Sequence, residues 1–347
     1  MKHTREIKIG NLFMGAGHPV LIQSMTNTKT ENIEDTVRQI IELENAGCEI
    51  VRVAVPTMEA AKAIKAIKAQ IHIPIVADIH FDYRLAIESI HSGVDKIRLN
   101  PGNIGDIEKV REVVTLAKAK RIPIRIGVNG GSLDKAVYEK YGGLTAEALV
   151  ESAMSHVKIF EALSFYDIAI SIKASDIPIT VKAYRLLSEI VDYPLHLGIT
   201  EAGTKFSSTV KSSIGIGALL LEGIGNTIRV TMTDDPVEEI KVAKKILEVL
   251  DLRSFGIKII ACPTCGRTEV DLIELTQEIE KRIEHMDKPI TVAIMGCAVN
   301  GPGEAREADL GIAGGKGMYL LFKKGLVIRK IKEEEVLEAL LEEINNF

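Results

Sequence analysis

DKIRLNPGNIGDIEKVREVVTLAKAKRIPIRIGVN, residues 95–129, decides the fold. Two β-branched runs, DKIRLNPG (95–102) and IPIRIGVN (122–129), flank an amphipathic segment, which is the pattern of a strand–helix–strand unit. Working outward, six more runs of the same kind appear: HPVLIQSM (18–25), EIVRVAVP (49–56), IPIVADIH (73–80), DIAISIKA (167–174), PLHLGITE (194–201) and TIRVTMT (227–233). Most are almost continuously apolar, as strands covered on both faces of a parallel sheet must be. Helical segments lie between them. Residues 33–46 are entered through a polar turn and left at Gly47, and residues 236–250 follow Asp234 and Asp235 as caps. Eight strand–helix units in about 250 residues make a (β/α)8 TIM barrel. A doubly wound sheet would carry a Gly-rich phosphate turn after its first strand, and none is present. The longest gap, GGSLDKAVYEKYGGLT (130–145), is expected to form a mobile flap over the barrel mouth.

Four of these strands carry an arginine between apolar neighbours: Arg52, Arg98, Arg125 and Arg229. Lys173 adds a fifth cation. Buried cations are costly unless paired, so five in equivalent strand positions call for a shared partner. A polyanion at the barrel axis supplies it, and the forked guanidinium suits phosphate oxygens. The plainer reading pairs each cation with an internal carboxylate such as Asp78 or Glu201, or leaves it at the inert bottom of the barrel. Polar residues gather toward the C-terminal ends of the strands, where barrel enzymes keep their chemistry: Asp78, His80, Asn100, Asn129, His196, Thr200 and Glu201. A lone histidine in such a run is as often structural as functional. Glu201 is the acid–base candidate, as a carboxylate expected among cations.

Beyond Gly256 the pattern changes to IKIIACPTCGR (257–267), a long helix, ITVAIMGCAVNGPGE (290–304), a hairpin around KKGLV (323–327) and an acidic final helix. With LDLRSFG (250–256) as linker, the chain reads as a barrel over 1–254 and a small α/β domain over 255–347. Cys262, Cys265 and Cys297 place three soft ligands on two loops, which suits zinc or an iron–sulfur cluster alike. Zinc would call for a fourth Cys or His. His285, this domain's histidine, is expected in a helix without a partner motif, and Glu304 is the nearest hard ligand. Cys48 reads as a small buried hydrophobe.

The 347 residues carry a formal charge of −5 and a pI near 6.0, which speaks against a general nucleic-acid binder, and the acidic EEEVLEALLEE (333–343) speaks against a nucleic-acid-binding zinc ribbon. MKHTREIKIG has no apolar signal region, and the apolar stretch IGIGALLLEGIG (214–225) is short of the ~20 residues a membrane span needs. The expectation is a cytoplasmic, membrane-free protein. Four cysteines are too few for a disulfide scaffold in a chain of this length.

QSMTNTKT (23–30), VADIHF (76–81), IRLNPGN (97–103), GITEAG (198–203), CPTCGR (262–267) and MGCAVNGPGE (295–304), in that order, resemble the 4-hydroxy-3-methylbut-2-enyl diphosphate synthase family from end to end. The resemblance implies a barrel joined to a domain like that of sulfite and nitrite reductases. It implies an oxidoreductase of the non-mevalonate isoprenoid pathway with a [4Fe-4S] cluster on Cys262, Cys265, Cys297 and Glu304. The substrate it implies is 2-C-methyl-D-erythritol 2,4-cyclodiphosphate, its diphosphate held by Arg52, Arg98, Arg125 and Lys173. Glu201 would act near the reacting carbons. Reduced flavodoxin or ferredoxin is the implied donor, and a head-to-tail homodimer with shared active sites the implied assembly. Gly130 departs from relatives that carry a polar side chain there, so no role is assigned to it.

Overall fold

All eight β-branched runs become strands of one parallel sheet. A computed structural model describes residues 2–297, 303 and 305–347, and the chain divides into two compact units, Met1–Arg253 and Ser254–Phe347. An antiparallel hairpin, β1 (Ile7–Ile9) and β2 (Leu12–Met14), precedes the sheet. The sheet comprises β3 (Leu21–Met25), β4 (Ile50–Ala54), β5 (Ile75–Asp78), β6 (Lys96–Leu99), β7 (Ile124–Asn129), β8 (Ile168–Lys173), β9 (His196–Leu197) and β10 (Thr227–Ile228). Its order is β8-β7-β6-β5-β4-β3-β10-β9, and a parallel bridge between Ile170 and Leu195 brings the last edge to the first. The expected barrel is therefore present, strand by strand.

The helices fall where apolar periodicity and capping residues put them. They are α1 (Ile33–Ala46), α2 (Met58–Lys68), α3 (Tyr83–His91), α4 (Pro101–Ile104), α5 (Ile107–Lys120), α6 (Lys135–Lys140), α7 (Ala146–Ala162), α8 (Ile177–Ile190), α9 (Lys205–Leu221) and α10 (Pro236–Val249). The Asn32 side chain accepts the Asp35 N–H at the start of α1, and Gly47, at φ 101°, closes that helix in the left-handed region. Asp235, rather than Asp234, caps α10 by accepting the Val237 N–H. The stretch 130–145, expected as a flap, carries secondary structure of its own. It is partly helical, with a 3-10 turn at Gly130–Ser132 followed by α6, capped by Asp134.

Alternation inside the barrel sorts the inward residues into layers. The lowest is apolar: Leu21, Ile50, Val76 and Ala169 pack with Ile7, Ile9 and Met14 of the hairpin, which closes the N-terminal end. Polar and charged side chains fill the layers above it.

In the second unit, β11 (Lys258–Ala261), β12 (Thr291–Met295), β13 (Leu310–Gly315), β14 (Met318–Lys323) and β15 (Leu326–Lys332) form one sheet in that order. The first three strands run parallel and the last two are added antiparallel, the β14–β15 turn being the hairpin expected around KKGLV. One face packs against α11 (Leu272–Ile283) and α12 (Val336–Asn345) through residues such as Ile279, Ile294, Leu321 and Leu340. His285 stands in a turn after α11 has ended at Ile283, not within the helix.

Candidate functional site

A cavity of about 270 Å³ opens in the barrel, and Arg52, Arg98, Arg125, Lys173 and Arg229 all line it. The pairing register explains the convergence. Asp78 of β5 is level with Arg98 of β6, and Arg98 is level with Arg125 of β7, so three charged side chains stand side by side on neighbouring strands. Asn129 and Lys173 are likewise paired across β7 and β8.

Asp78 is the carboxylate set among the cations. It lies 3.1 Å from Arg98 Nη1, 3.7 Å from Arg52 Nε and 3.4 Å from His80 Nε2. Burial alone would raise its pKa, but Arg52, the hydrogen bond from His80 and Arg98 outweigh that and hold it well below the usual carboxylate range. Arg229 is met from α10 by Glu239, whose Oε2 lies 3.5 Å from Arg229 Nε and also accepts the Ser24 hydroxyl at 2.9 Å. Met25, level with Arg52, receives the Arg52 Nε–H at 3.0 Å on its sulfur.

The other cations are not neutralised in this way. Arg125 is 1% exposed, and its Nε and Nη1 have no hydrogen-bond partner. Lys173 is also buried, with no carboxylate of the described residues in ion-pair range. Burial, then the charges of Arg125 and Arg52, push the Lys173 ammonium well below its usual pKa. Burial and the neighbouring arginines act on Arg52 in the same direction, lowering it to about 10 against the pull of Asp78. Thus the plainer reading, pairing with an internal carboxylate, holds for Arg52 and Arg98, which share Asp78, and for Arg229 with Glu239, and fails for Arg125 and Lys173.

Of the remaining expected residues, His80, Asn129 and Thr200 line the cavity. Asn100 does not; its side chain accepts the Gly102 N–H at 3.1 Å and caps α4. His196 is fully buried below the cavity, its Nδ1 2.6 Å from Thr227 Oγ1. Glu201 departs most from expectation. It is exposed, in the left-handed region at φ 54°, and outside the cavity lining, because the chain leaves β9 after two residues and turns outward beyond Thr200.

Several contributors were not singled out from sequence. Glycines leave room for the cation heads: a Cβ on Gly127 would sit 2.7 Å from Arg98 Nε, and one on Gly198 would sit 2.7 Å from Lys173 Nζ. Ser171 and Thr231 complete the wall, while Lys96 lies fully buried beneath it. Gly127 and Ser171 lie two residues from Arg125 and Lys173 on their strands, and Gly198 lies two residues from both His196 and Thr200, so strand period two was the available signal. Glu239 had none, being on a helix.

In the second unit, Cys262 follows β11 and Cys297 follows β12, at the same edge of two paired parallel strands. The Gly296 N–H donates to Cys262 Sγ at 3.1 Å. Cys265 is exposed, and the Arg267 backbone N–H leads the influences that lower its pKa. Among the described residues no group of three His, Cys, Asp or Glu side chains is gathered closely enough to hold a metal ion. Glu304 lies outside the described residues. The donor chemistry nevertheless suits a thiolate-bound group, since the cysteines are free thiols, one is hydrogen-bonded by a backbone amide and another is biased toward thiolate. Cys48 behaves as expected of a buried hydrophobe: 3% exposed, its thiol pushed up to about 12 by burial. No helix among the described residues is long and apolar enough to cross a membrane.

Known proteins place this geometry. Among solved structures, a Yersinia pestis dihydropteroate synthase aligns with a TM-score of 0.52 at 11% identity, over 71% of this chain and 100% of that one. Geobacillus kaustophilus 3-dehydroquinate dehydratase aligns at 0.51 and 14%, over 72% and 98%. Both likenesses are of fold alone. Full-length relatives are far nearer in sequence. The 4-hydroxy-3-methylbut-2-en-1-yl diphosphate synthase (flavodoxin) of Caldanaerobacter subterraneus is 60% identical over 343 residues, covering 99% of this chain and 97% of that protein. Proteins of the same name from Ruminiclostridium cellulolyticum and Fusobacterium nucleatum are 60% and 57% identical, over 99% and 98% of this chain and 97% and 96% of theirs. The GcpE TIM-barrel domain matches residues 4–244 and the GcpE protein C-terminal domain residues 258–346, so the chain belongs to the GcpE family of 4-hydroxy-3-methylbut-2-en-1-yl diphosphate synthases.

Proposed function

We propose that the barrel cavity holds 2-C-methyl-D-erythritol 2,4-cyclodiphosphate by its diphosphate, and that the chain opens this ring reductively to (E)-4-hydroxy-3-methylbut-2-enyl diphosphate. Two electrons and two protons enter and one water leaves. The observation that carries the reading is the excess of buried cation over carboxylate around a cavity of about 270 Å³. Arg125 and Lys173 lack internal partners, so an entering diphosphate supplies what the fold withholds. Arg52, Arg98 and Arg229 are already oriented by Asp78, Met25 and Glu239 and add donors without a large reorganisation. His80, Asn129 and Thr200 contribute polar contacts from the cavity wall, while Asn100 and His196 act from behind as positioning residues.

Glu201 is next to Thr200, on the loop that leaves β9 at the catalytic end of the barrel. We assign it proton transfer to the reacting carbon skeleton. Its positive φ is held by the fold, a feature that recurs where backbone strain serves function.

The family and the thiol chemistry support a [4Fe-4S] cluster held by Cys262, Cys265, Cys297 and Glu304. When bound, such a cluster supplies electrons singly and a Lewis-acidic iron. The Gly296 N–H on Cys262 Sγ would tune the ligand it touches. The relatives' names specify flavodoxin, so reduced flavodoxin is the proposed donor, with ferredoxin as its chemical alternative. The assembly proposed is a cytoplasmic head-to-tail homodimer in which each barrel is served by the partner's second unit.

Anaerobic incubation of reconstituted protein with the cyclic diphosphate and reduced flavodoxin tests the reading. The linear hydroxylated diphosphate should form, and Cys297→Ser should not form it. Persistence of the cyclic diphosphate with an intact cluster and reduced donor would refute the assignment.

A further inference from the structure

One inward step below Arg98 on the same strand stands Lys96, fully buried within the barrel. Its ammonium nitrogen has one partner, Gln23 Oε1 of β3, at the limiting distance of 3.5 Å. The charges that reach it are the guanidinium groups of Arg125 on β7 and Arg52 on β4. The charge of Lys96 would in turn act on the buried His196 of β9, whose Nε2 is unpartnered. Gln23 Nε2 and Arg125 Nε and Nη1 are also buried without partners. The interior carboxylates are committed elsewhere: Asp78 to Arg52, Arg98 and His80, and Glu239 to Arg229, Ser24 and the Met232 N–H.

A buried ammonium without a carboxylate, facing guanidinium groups, is disfavoured twice over, by lost hydration and by like charge. The guanidinium groups keep their protons, so the amine is the group that yields. A diphosphate bound above the layer reverses the local field and makes the ammonium favourable again.

We propose that Lys96 is an uncharged amine in the free protein and takes up a proton when the diphosphate enters the cavity, serving as a positioning residue that completes the cationic floor. This rests on the reading of the cavity as the diphosphate site. Burial and the two arginines do hold Lys96 well below the usual lysine value. Binding then draws protons from solution, so affinity falls as pH rises. The free protein also avoids an unpaired buried charge.

Titration calorimetry of the anaerobic holoenzyme with cyclic diphosphate at mildly alkaline pH, in buffers of different ionisation enthalpy, counts the protons taken up. Wild type should take up protons, and Lys96→Met should take up fewer, by as much as about one per site. The variant should bind about tenfold more weakly, equivalent to one unit of proton affinity. Without substrate it should melt at a higher temperature than wild type, because methionine needs no hydration in that layer. Lys96→Gln is a second test and should lose the same proton. Equal proton uptake in wild type and both variants overturns the proposal while leaving the cavity assignment standing. Failure of both variants to fold also overturns it, since the free protein should be better off without the amine. If wild type binds no cyclic diphosphate, the cavity assignment falls first, and the role of Lys96 falls with it.

Discussion

Arg125 is the side chain whose removal should tell most about the cavity. Buried, with Nε and Nη1 unpartnered, it has donors to spare and no internal duty to lose. Arg125→Ala should therefore weaken binding of the cyclic diphosphate by about 10–100-fold, the equivalent of ~1.5–3 kcal/mol for hydrogen bonds to a charged group. KM in the anaerobic assay checks it, and an unchanged KM would remove Arg125 from the site. Asp78 has the opposite character. Its folded-state pKa lies below the ordinary carboxylate value, so the stability it confers is complete above about pH 4 and is lost as pH falls further. Urea melts between pH 7 and pH 3 should show that loss in wild type and a shallower one in Asp78→Asn. That variant should also be less stable at pH 7 by about 3 kcal/mol, because Arg52 and Arg98 lose the carboxylate they share. Gly127→Ala should weaken substrate binding with little change in stability, since its Cβ would meet the Arg98 side chain rather than backbone. The arginines were legible in the sequence because a cation inside a β-branched string is conspicuous. Lys96 was not, although it shares a strand with Arg98, because depth in the barrel depends on register between strands. Glu201 was placed among the cations by its sequence neighbours, yet a two-residue β9 sends it outward.

Among the elements, the barrel strands were readable because each had to be apolar on both faces. The hairpin β1–β2 escaped notice, since each strand is only three residues long. Its signal was Gly10-Asn11 between Ile9 and Leu12, a two-residue turn of the kind that joins twisted strands, with Gly10 at φ 58°. The hairpin's work is to plug the barrel with Ile7, Ile9 and Met14. Ile9→Ala should destabilise the first unit by about 2–5 kcal/mol through the cavity it leaves, measurable as a lower urea midpoint with an unchanged slope. An undiminished midpoint would mean that the plug is dispensable. The 130–145 stretch was longer than an ordinary connection and looked like a flap. Asp134 caps a short helix there, a signal that the flanking glycine pairs masked.

At the scale of the whole molecule, the change of pattern near residue 256 was visible because a parallel apolar rhythm gave way to cysteine loops and a hairpin. What sequence could not give was the geometry around the thiols, which depends on how β11 and β12 pair. The proposed assembly makes a prediction that neither unit makes alone. Glu201→Ala and Cys297→Ser chains, each inactive as homodimers, should regain about a quarter to half of wild-type activity when mixed as heterodimers, because one of the two shared sites is then intact. Verified heterodimers without activity would place both units of a site in one chain. The account as a whole turns on what the thiols hold. The most direct measurement is iron, sulfide and zinc analysis of anaerobically purified protein, with an absorption spectrum of the same sample. About four irons and four sulfides per chain in a brown protein is the expected result. A colourless protein carrying about one zinc would contradict the account.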